Sequence, residues 1–399
     1  MKILACPAGY SIGEVIGSEG YISYMLMRKL SERHKITFIA LTISSNIPLR
    51  VPRIKVIETS KGKPKPTYST IERLSFWVRI PRYATKILKE VDIDIIHHVA
   101  PSFTCKHGFN PVALCIKHPF VIGPVYQLGT YHSKEELYAW YGFKRFTTLD
   151  SCLHTLLSHL LLKFKAFEKT LKKCSVLVAT TEKAKIAFSK FIEPEKIVII
   201  PLGVDTDRFV PSITPVNEST IKILFAGALI KRKGVDYLLK AVSKLRKRGI
   251  KIKLEIIGEG PQRAYLEELS RLLHINDRVT CLGNMSRQKL IKHYQRCDIV
   301  AFPSLSDPFS SVPLEGMSCG KPVIVTSVCG VAEYIEHGKT GFIVPPADVD
   351  SLSNVILALV ESEDLRKKIG LNARSLVESK FSWDKISEQY YAVYKHLIR

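Results

Sequence analysis

Residues 221–247, IKILFAGALIKRKGVDYLLKAVSKLRK, decide the fold class. Ile221–Ala226 is a short β-branched and aromatic run of strand type, and Gly227 ends it. A basic loop (Lys231, Arg232, Lys233, Gly234) then leads into Val235–Lys247, whose apolar residues recur at helical spacing. Strand, glycine turn and helix make half of a parallel βαβ unit, and the same rhythm continues on both sides. Downstream come strand Lys253–Ile257, helix Gln262–Leu273, strand Arg278–Leu282, helix Arg287–Gln295 and strand Ile299–Phe302. A helix opening near Val312, strand Pro322–Thr326 and helices across 349–398 complete that half. Upstream, Lys2–Cys6, Lys35–Thr42, Ile54–Glu58, Ile93–His97, Phe120–Ile122, Ser175–Ala179 and Lys196–Ile200 read as strands. Helices are expected over Tyr21–Glu32, 71–90, 153–173 and Glu182–Phe191. Strands alternating with helices imply parallel sheets covered on both faces. Pro201, Pro211, Pro215 and polar Asn217–Thr220 mark a linker between two doubly wound α/β domains. The expected boundaries are 1–212 and 213–380, with a C-terminal helix at 381–399 packing back towards the first domain.

A chain of 399 residues suits two such domains, and 46% apolar with 24% charged residues lets each bury a core. Disorder and a disulfide-stapled miniprotein are excluded. The longest apolar-rich stretch, Cys152–Leu162, contains His154 and His159 and is too short to span a bilayer. Met1–Cys6 is too short for a signal-peptide core. Nine scattered cysteines without a C-x-x-C pair predict buried thiols in a reducing compartment, so the cytoplasm is expected. The net charge of +22, heavier before Val210 than after it, suits an anionic partner or a lysine-rich solvated surface. No RNP-like aromatic strand, helix-turn-helix or arginine-rich groove accompanies it, so nucleic acid is not expected. The mixed apolar and cationic stretches Phe76–Lys89 and Leu160–Lys173 suit either packed helices or peripheral contact with an anionic membrane surface.

Three segments carry chemistry. Phe302–Gly320, FPSLSDPFSSVPLEGMSCG, places Asp307 on a loop after a strand and Glu315 in the second turn of the next helix. Between them, Ser310, Ser311 and Val312 offer backbone N–H groups at a helix start, which suits an anion; capping is the alternative reading of the carboxylates. Arg232 and Lys233, at a strand–loop–helix junction after Gly227, suit a diphosphate or form a solvated basic turn. In VIIPLGVDTDRFVP (198–211), turn chemistry explains Asp205 and Asp207, and no metal is expected.

The order of G-V-D-x-x-x-F (203–209), G-x-L-x-x-x-K-G (227–234), I-x-G-x-G-P (256–261), the carboxylate pair leading to C-G-K-P-V-I (319–324) and C-G-V-A-E-Y-I-E-H-G-K-T-G-F-I-V (329–344) resembles glycosyltransferase family 4. The resemblance is strong from about Lys173 onward and continues more loosely before it, in HHVAPSF (97–103) and PFVIGPV (119–125). It implies the GT-B fold, two Rossmann-like domains facing a cleft, with the acceptor side in the N-terminal domain and the nucleotide sugar in the C-terminal one. It further implies a retaining enzyme that moves a hexose-type sugar from a UDP- or GDP-sugar to a glycan or lipid-linked acceptor, without a metal or further cofactor.

By that resemblance Lys233 grips the donor diphosphate, and Arg232 replaces an arginine whose usual position is Ala228. Glu315 takes the ribose hydroxyls. Asp307, where relatives carry Glu, meets the donor sugar. Ser310 stands where many relatives have Gly, and with Ser311, Val312 and Gly227 it lines the phosphates and sugar. Gly258–Gly260, Asn284 and Met285 border the nucleobase. Gly20, at the start of the first helix, faces the diphosphate. His97 or His98 orients hydroxyls, or is a buried structural histidine. A sugar-nucleotide epimerase or a non-catalytic nucleotide-sugar- or carbohydrate-binding protein is the rival reading on the same scaffold.

Overall fold

The computed structural model describes residues 1–6, 11–13, 18–42, 44–46, 52–59, 70–99, 110, 112, 117–125, 166–212 and 220–398. Two compact units emerge. One comprises the described residues up to Leu202 together with Trp383–Ile398; the other is Gly203–Ser382.

The first unit is built on a seven-stranded parallel sheet. From edge to edge its strands are Ile54–Glu58, Thr37–Thr42, Lys2–Ala5, Ile95–His98, Phe120–Val125, Val176–Ala179 and Ile197–Ile199. Ile95–His98 and Phe120–Val125 are buried throughout, as strands covered on both faces must be. Leu4, Leu41, Ile80, Ile96, Phe120, Ile122, Leu177 and Phe188 meet in one cluster. The first helix runs Ser18–His34, starting earlier than the periodicity suggests, so Gly20 is buried in its first turn. A two-stranded parallel ribbon, Ser11–Gly13 with Ser44–Asn46, was not expected. Of the basic stretch 153–173, helix Ala166–Lys172 is described, and the part before residue 166 lies outside the described residues.

Helix Trp383–Ile398 lies against helix Ser18–His34 in this unit. Lys29 pairs with Asp384 at 3.1 Å and Arg33 with Glu388 at 3.0 Å. Its deepest contact is polar: the Tyr394 hydroxyl lies 2.7 Å from His97 Nδ1, while His97 Nε2 lies 2.8 Å from the Gly123 carbonyl. Because a carbonyl only accepts, the proton sits on Nε2 and Nδ1 accepts from tyrosine. Both nitrogens of this fully buried ring are thus spent inside the fold. His97 is a structural histidine, and the expectation that it orients a substrate hydroxyl is corrected on that ground.

The second unit carries six parallel strands in the order Val279–Gly283, Ile252–Ile257, Ile221–Ala226, Ile299–Phe302, Val323–Thr326 and Phe342–Val344. Chain order reverses direction between Ile221–Ala226 and Ile299–Phe302. In a doubly wound sheet the crevice beyond the carboxyl ends of such a strand pair receives ligands. Helix Val235–Lys247 buries Leu238, Leu239, Val242 and Leu245, the stripe that its spacing predicts. The edge strand Phe342–Val344, three residues long, is too short to show a period.

Burial holds the His97 imidazole near pKa 4, and burial together with neighbouring His97 holds His98 near 3, both below the value of about 6.5 for an unfolded histidine. Their neutral forms therefore contribute stability that is complete above pH 6.5. It is lost as the pH falls towards 4, because the unfolded chain takes up protons first. The urea midpoint of the wild type should fall steadily between pH 7 and pH 5, and His98→Asn should flatten that slope. An unchanged wild-type midpoint over the range would show that these rings are not buried neutral.

Candidate active site

Two loops meet beyond the strand pair at which the order of the second sheet reverses. The first follows Ile221–Ala226. Gly227 turns with φ +147 and donates to the Ile257 carbonyl at 2.9 Å. A Cβ on Gly258 would lie 1.9 Å from the Gly227 carbonyl oxygen, so these strand ends touch backbone to backbone. The loop ends in the single turn Lys231–Lys233, closed by Gly234 in the left-handed region at φ +65. A Cβ there would lie 2.1 Å from the Pro303 carbonyl oxygen. Only glycine allows that approach.

The second loop, Pro303–Ser310, is pinned to the first. Leu305 N–H and the Ser304 hydroxyl both donate to the Arg232 carbonyl, at 2.7 and 2.8 Å, and Arg232 Nη1 donates to the Ser306 carbonyl at 3.0 Å. Asp307 forms a parallel bridge with Cys329, and its carbonyl accepts from Gly330 N–H at 2.9 Å.

The arrangement brings Asp307, Lys233 and Arg232 together. Lys233 Nζ makes a short ion pair with Asp307 Oδ2, and Arg232 Nη1 stands 3.6 Å from the same oxygen. Asp307 is 4% exposed and Lys233 9%. The lysine ammonium also lies 4.6 Å from the centre of the Phe302 ring, an added cation–π attraction. Two cations thus face one carboxylate, leaving a local surplus of positive charge. Arg232 Nε is buried without a hydrogen-bond partner, a donor that a phosphate oxygen would satisfy.

Glu315 sits on helix Ser311–Ser318 and is buried. Tyr294 donates its hydroxyl to Oε2 at 3.0 Å, and Arg287 approaches Oε1 at 3.6 Å. Burial first, then the Glu315 charge, push the Tyr294 phenol well above its ordinary pKa, so it stays a donor. The helix enters through Ser310, whose hydroxyl accepts from Val312 N–H at 3.4 Å. Ser310 has extended backbone angles (φ −112, ψ 138), so the position does not need glycine and serine carries no strain there. Of the three amides expected to face an anion, that of Val312 is therefore capped internally.

Asn284 is exposed and Met285 half-buried on the loop between Val279–Gly283 and helix Arg287–Arg296. Among the described residues no hydrogen bond or ion pair joins their side chains to the Asp307 cluster, and Gly20 and His97 belong to the first unit. Asp205 accepts from Arg208 N–H at 3.3 Å and pairs with its side chain at 3.6 Å, as its turn chemistry requires. Sequence reasoning missed Tyr294 and Arg287. Both lie on helix Arg287–Arg296, but nothing in its periodicity says which residue meets Glu315.

The description "Glycosyltransferase Family 4" matches residues 20–208, and "Glycosyl transferases group 1" matches residues 207–376. The chain belongs to the group 1 glycosyltransferases of family 4. An uncharacterised glycosyltransferase of Methanocaldococcus jannaschii is 35% identical over 229 residues, 57% of this chain and 58% of that protein. The match thus spans little more than half of that relative. Sucrose-phosphate synthase from Thermosynechococcus elongatus superposes with a TM-score of 0.75 at 21% identity, over 99% of this chain and 98% of that one. Anabaena HepE in complex with UDP-glucose gives 0.70 at 19% identity, over 99% and 100%. These likenesses show the GT-B fold. Within this glycosyltransferase, the site at the strand reversal falls in the group 1 match.

Gly234→Ala should destabilise the second unit by at least ~2 kcal/mol, from left-handed strain and the clash with Pro303. Chemical denaturation measures it; a loss under 0.5 kcal/mol, on the order of a neutral surface change, would mean the two loops are not in contact.

Proposed function

We propose that this glycosyltransferase moves a hexose-type sugar from a UDP- or GDP-sugar to a hydroxyl of a glycan or lipid-linked acceptor, with retention at the anomeric carbon. The observation that carries the reading is the convergence of Lys233 and Arg232 on Asp307, beside an oriented Glu315, where the sheet order reverses. UDP-glucose in the HepE complex supports a nucleotide-sugar donor on this fold.

In this reading Lys233 and Arg232 take the diphosphate. The buried Arg232 Nε gains an acceptor, and the ammonium of Lys233 divides its charge between Asp307 and phosphate oxygen. Glu315, with Oε2 held by Tyr294, receives the ribose hydroxyls, and Asp307 meets the sugar. The bond from the anomeric carbon to the diphosphate oxygen breaks while one to the acceptor oxygen forms on the same face. The acceptor proton passes to the departing diphosphate. Negative charge develops on that leaving group, so preorganised cations stabilise the transition state more than the ground state. Two side-chain cations supply the charge, and no metal ion is part of the scheme.

Among the described residues no helix is long and apolar enough to cross a membrane. Helix Thr70–Glu90 presents Val78, Arg82, Lys86 and Lys89 on its exposed side, which suits peripheral contact with an anionic surface at the cytoplasmic face during transfer to a lipid-linked acceptor.

A thermal-shift panel with UDP, GDP, ADP and CMP tests the donor site. The matching nucleotide at a hundred times its Kd should add about 2.7 kcal/mol of stability, and Glu315→Ala should remove the gain. Lys233→Ala should abolish transfer while the protein stays folded. No shift with any nucleotide, or wild-type turnover in Lys233→Ala, would refute the assignment.

Tyr294→Phe separates orientation from chemistry. Losing one hydrogen bond to a carboxylate should raise the donor KM about tenfold and leave kcat nearly unchanged. An unchanged KM would mean that Glu315 needs no support from Tyr294.

A further inference from the structure

The first unit carries a surface pocket of about 310 Å³ lined by Pro81, Thr85, Leu88, Lys89, Val112, Lys117 and His118. Its place sets it apart from the chemistry described above. Lys117 and His118 lie just before strand Phe120–Val125, at its amino end, whereas ligands of doubly wound sheets bind beyond the carboxyl ends. The opposite wall is the C-terminal half of helix Thr70–Glu90. Val112 is fixed by its N–H, which donates to Asn110 Oδ1 at 3.0 Å, while Asn110 Nδ2 donates to the Cys6 carbonyl at 2.8 Å. One wall is therefore tied to the central sheet.

The polar groups of the pocket share a feature. Neither Lys89 nor Lys117 makes an ion pair among the described residues, and Glu90, next to Lys89 in the chain, pairs with Lys86 at 3.9 Å. The Thr85 hydroxyl donates to the Pro81 carbonyl at 2.7 Å and keeps its lone pairs. His118 Nδ1 is buried with no hydrogen-bond partner. An unpartnered lone pair costs less than an unpartnered N–H, which assigns the ring proton to Nε2 and leaves that nitrogen as a donor. Two uncompensated ammonium groups and an imidazole donor stand around aliphatic walls from Pro81, Leu88 and Val112. The volume is within the range of small-molecule sites, where apolar walls and a few convergent polar groups are the rule.

We infer that this pocket is a binding site for a phosphate monoester dianion, separate from the donor site. The charge sets the ligand class: a dianion neutralises Lys89 and Lys117 together, and its oxygens accept from both ammonium groups and from His118. The aliphatic wall takes the carbon portion of the ester. Either a soluble sugar or polyol phosphate or the headgroup of a phosphatidic-acid-type lipid supplies that chemistry.

The test uses the full chain carrying Lys233→Ala, which removes a donor-site cation from the measurement. Phosphorus NMR titration with inorganic phosphate and with glycerol 3-phosphate should give saturable binding at constant ionic strength. Lys89→Gln/Lys117→Gln should weaken it at least tenfold while the melting temperature stays within a degree or two, since both side chains are exposed. Sedimentation with phosphatidylcholine vesicles, with and without phosphatidic acid, forms the second arm. Binding that needs phosphatidic acid and is lost in the double variant identifies a lipid as the source; soluble binding alone identifies a metabolite. No saturable binding in either arm, or binding that the double variant leaves intact, overturns the site.

Discussion

A carboxylate almost removed from water must be matched by positive charge, and Asp307 meets that constraint with Lys233 and Arg232. Much of the second unit's local geometry follows from it. Lys233 reaches Asp307 because the turn before it closes through Gly234, and Gly234 fits because it lacks a Cβ against Pro303. The loop carrying Asp307 is drawn to the same turn by hydrogen bonds to the Arg232 carbonyl. A buried ion pair contributes little to stability relative to a well-packed apolar core. Its value here is positional: it keeps two cations beside the end of a strand with one more positive charge than their partner neutralises.

The two carboxylates of the segment are handled differently. Asp307 faces two cations, Lys233 and Arg232, whereas Glu315 accepts a hydrogen bond from a phenol at 3.0 Å and has one arginine at 3.6 Å. A group that stabilises charge needs compensation ready at hand. One that recognises hydroxyls needs a fixed direction and free lone pairs. The division agrees with separate roles for the two side chains in the proposed transfer.

Most of the strand and helix alternation was legible from periodicity, because strands such as Ile221–Ala226 and Val323–Thr326 bury apolar runs, Ile223–Ala226 and Val323–Val325, that stand out in the sequence. The edge strand Phe342–Val344 and the ribbon Ser11–Gly13 with Ser44–Asn46 were not, since three residues carry no period. Asp307, Lys233 and Arg232 could be named from their spacing around loops and helix starts. Their meeting at one oxygen could not, because it depends on the order of strands in the sheet. His97 shows the limit most clearly. A histidine ending a strand looks the same in sequence whether it faces a ligand or a buried tyrosine 297 positions later.

That long-range bond has a consequence for how the chain is made. The described residues of the second unit all lie between Gly203 and Ser382, so they can leave the ribosome and settle as one piece. The first begins earlier but lacks the partner for His97 until Tyr394 has been synthesised. Emerging strands of the N-terminal sheet must therefore wait, with a neutral imidazole and an apolar helix face uncovered, while the later unit is translated. The half of the molecule made first is the half finished last.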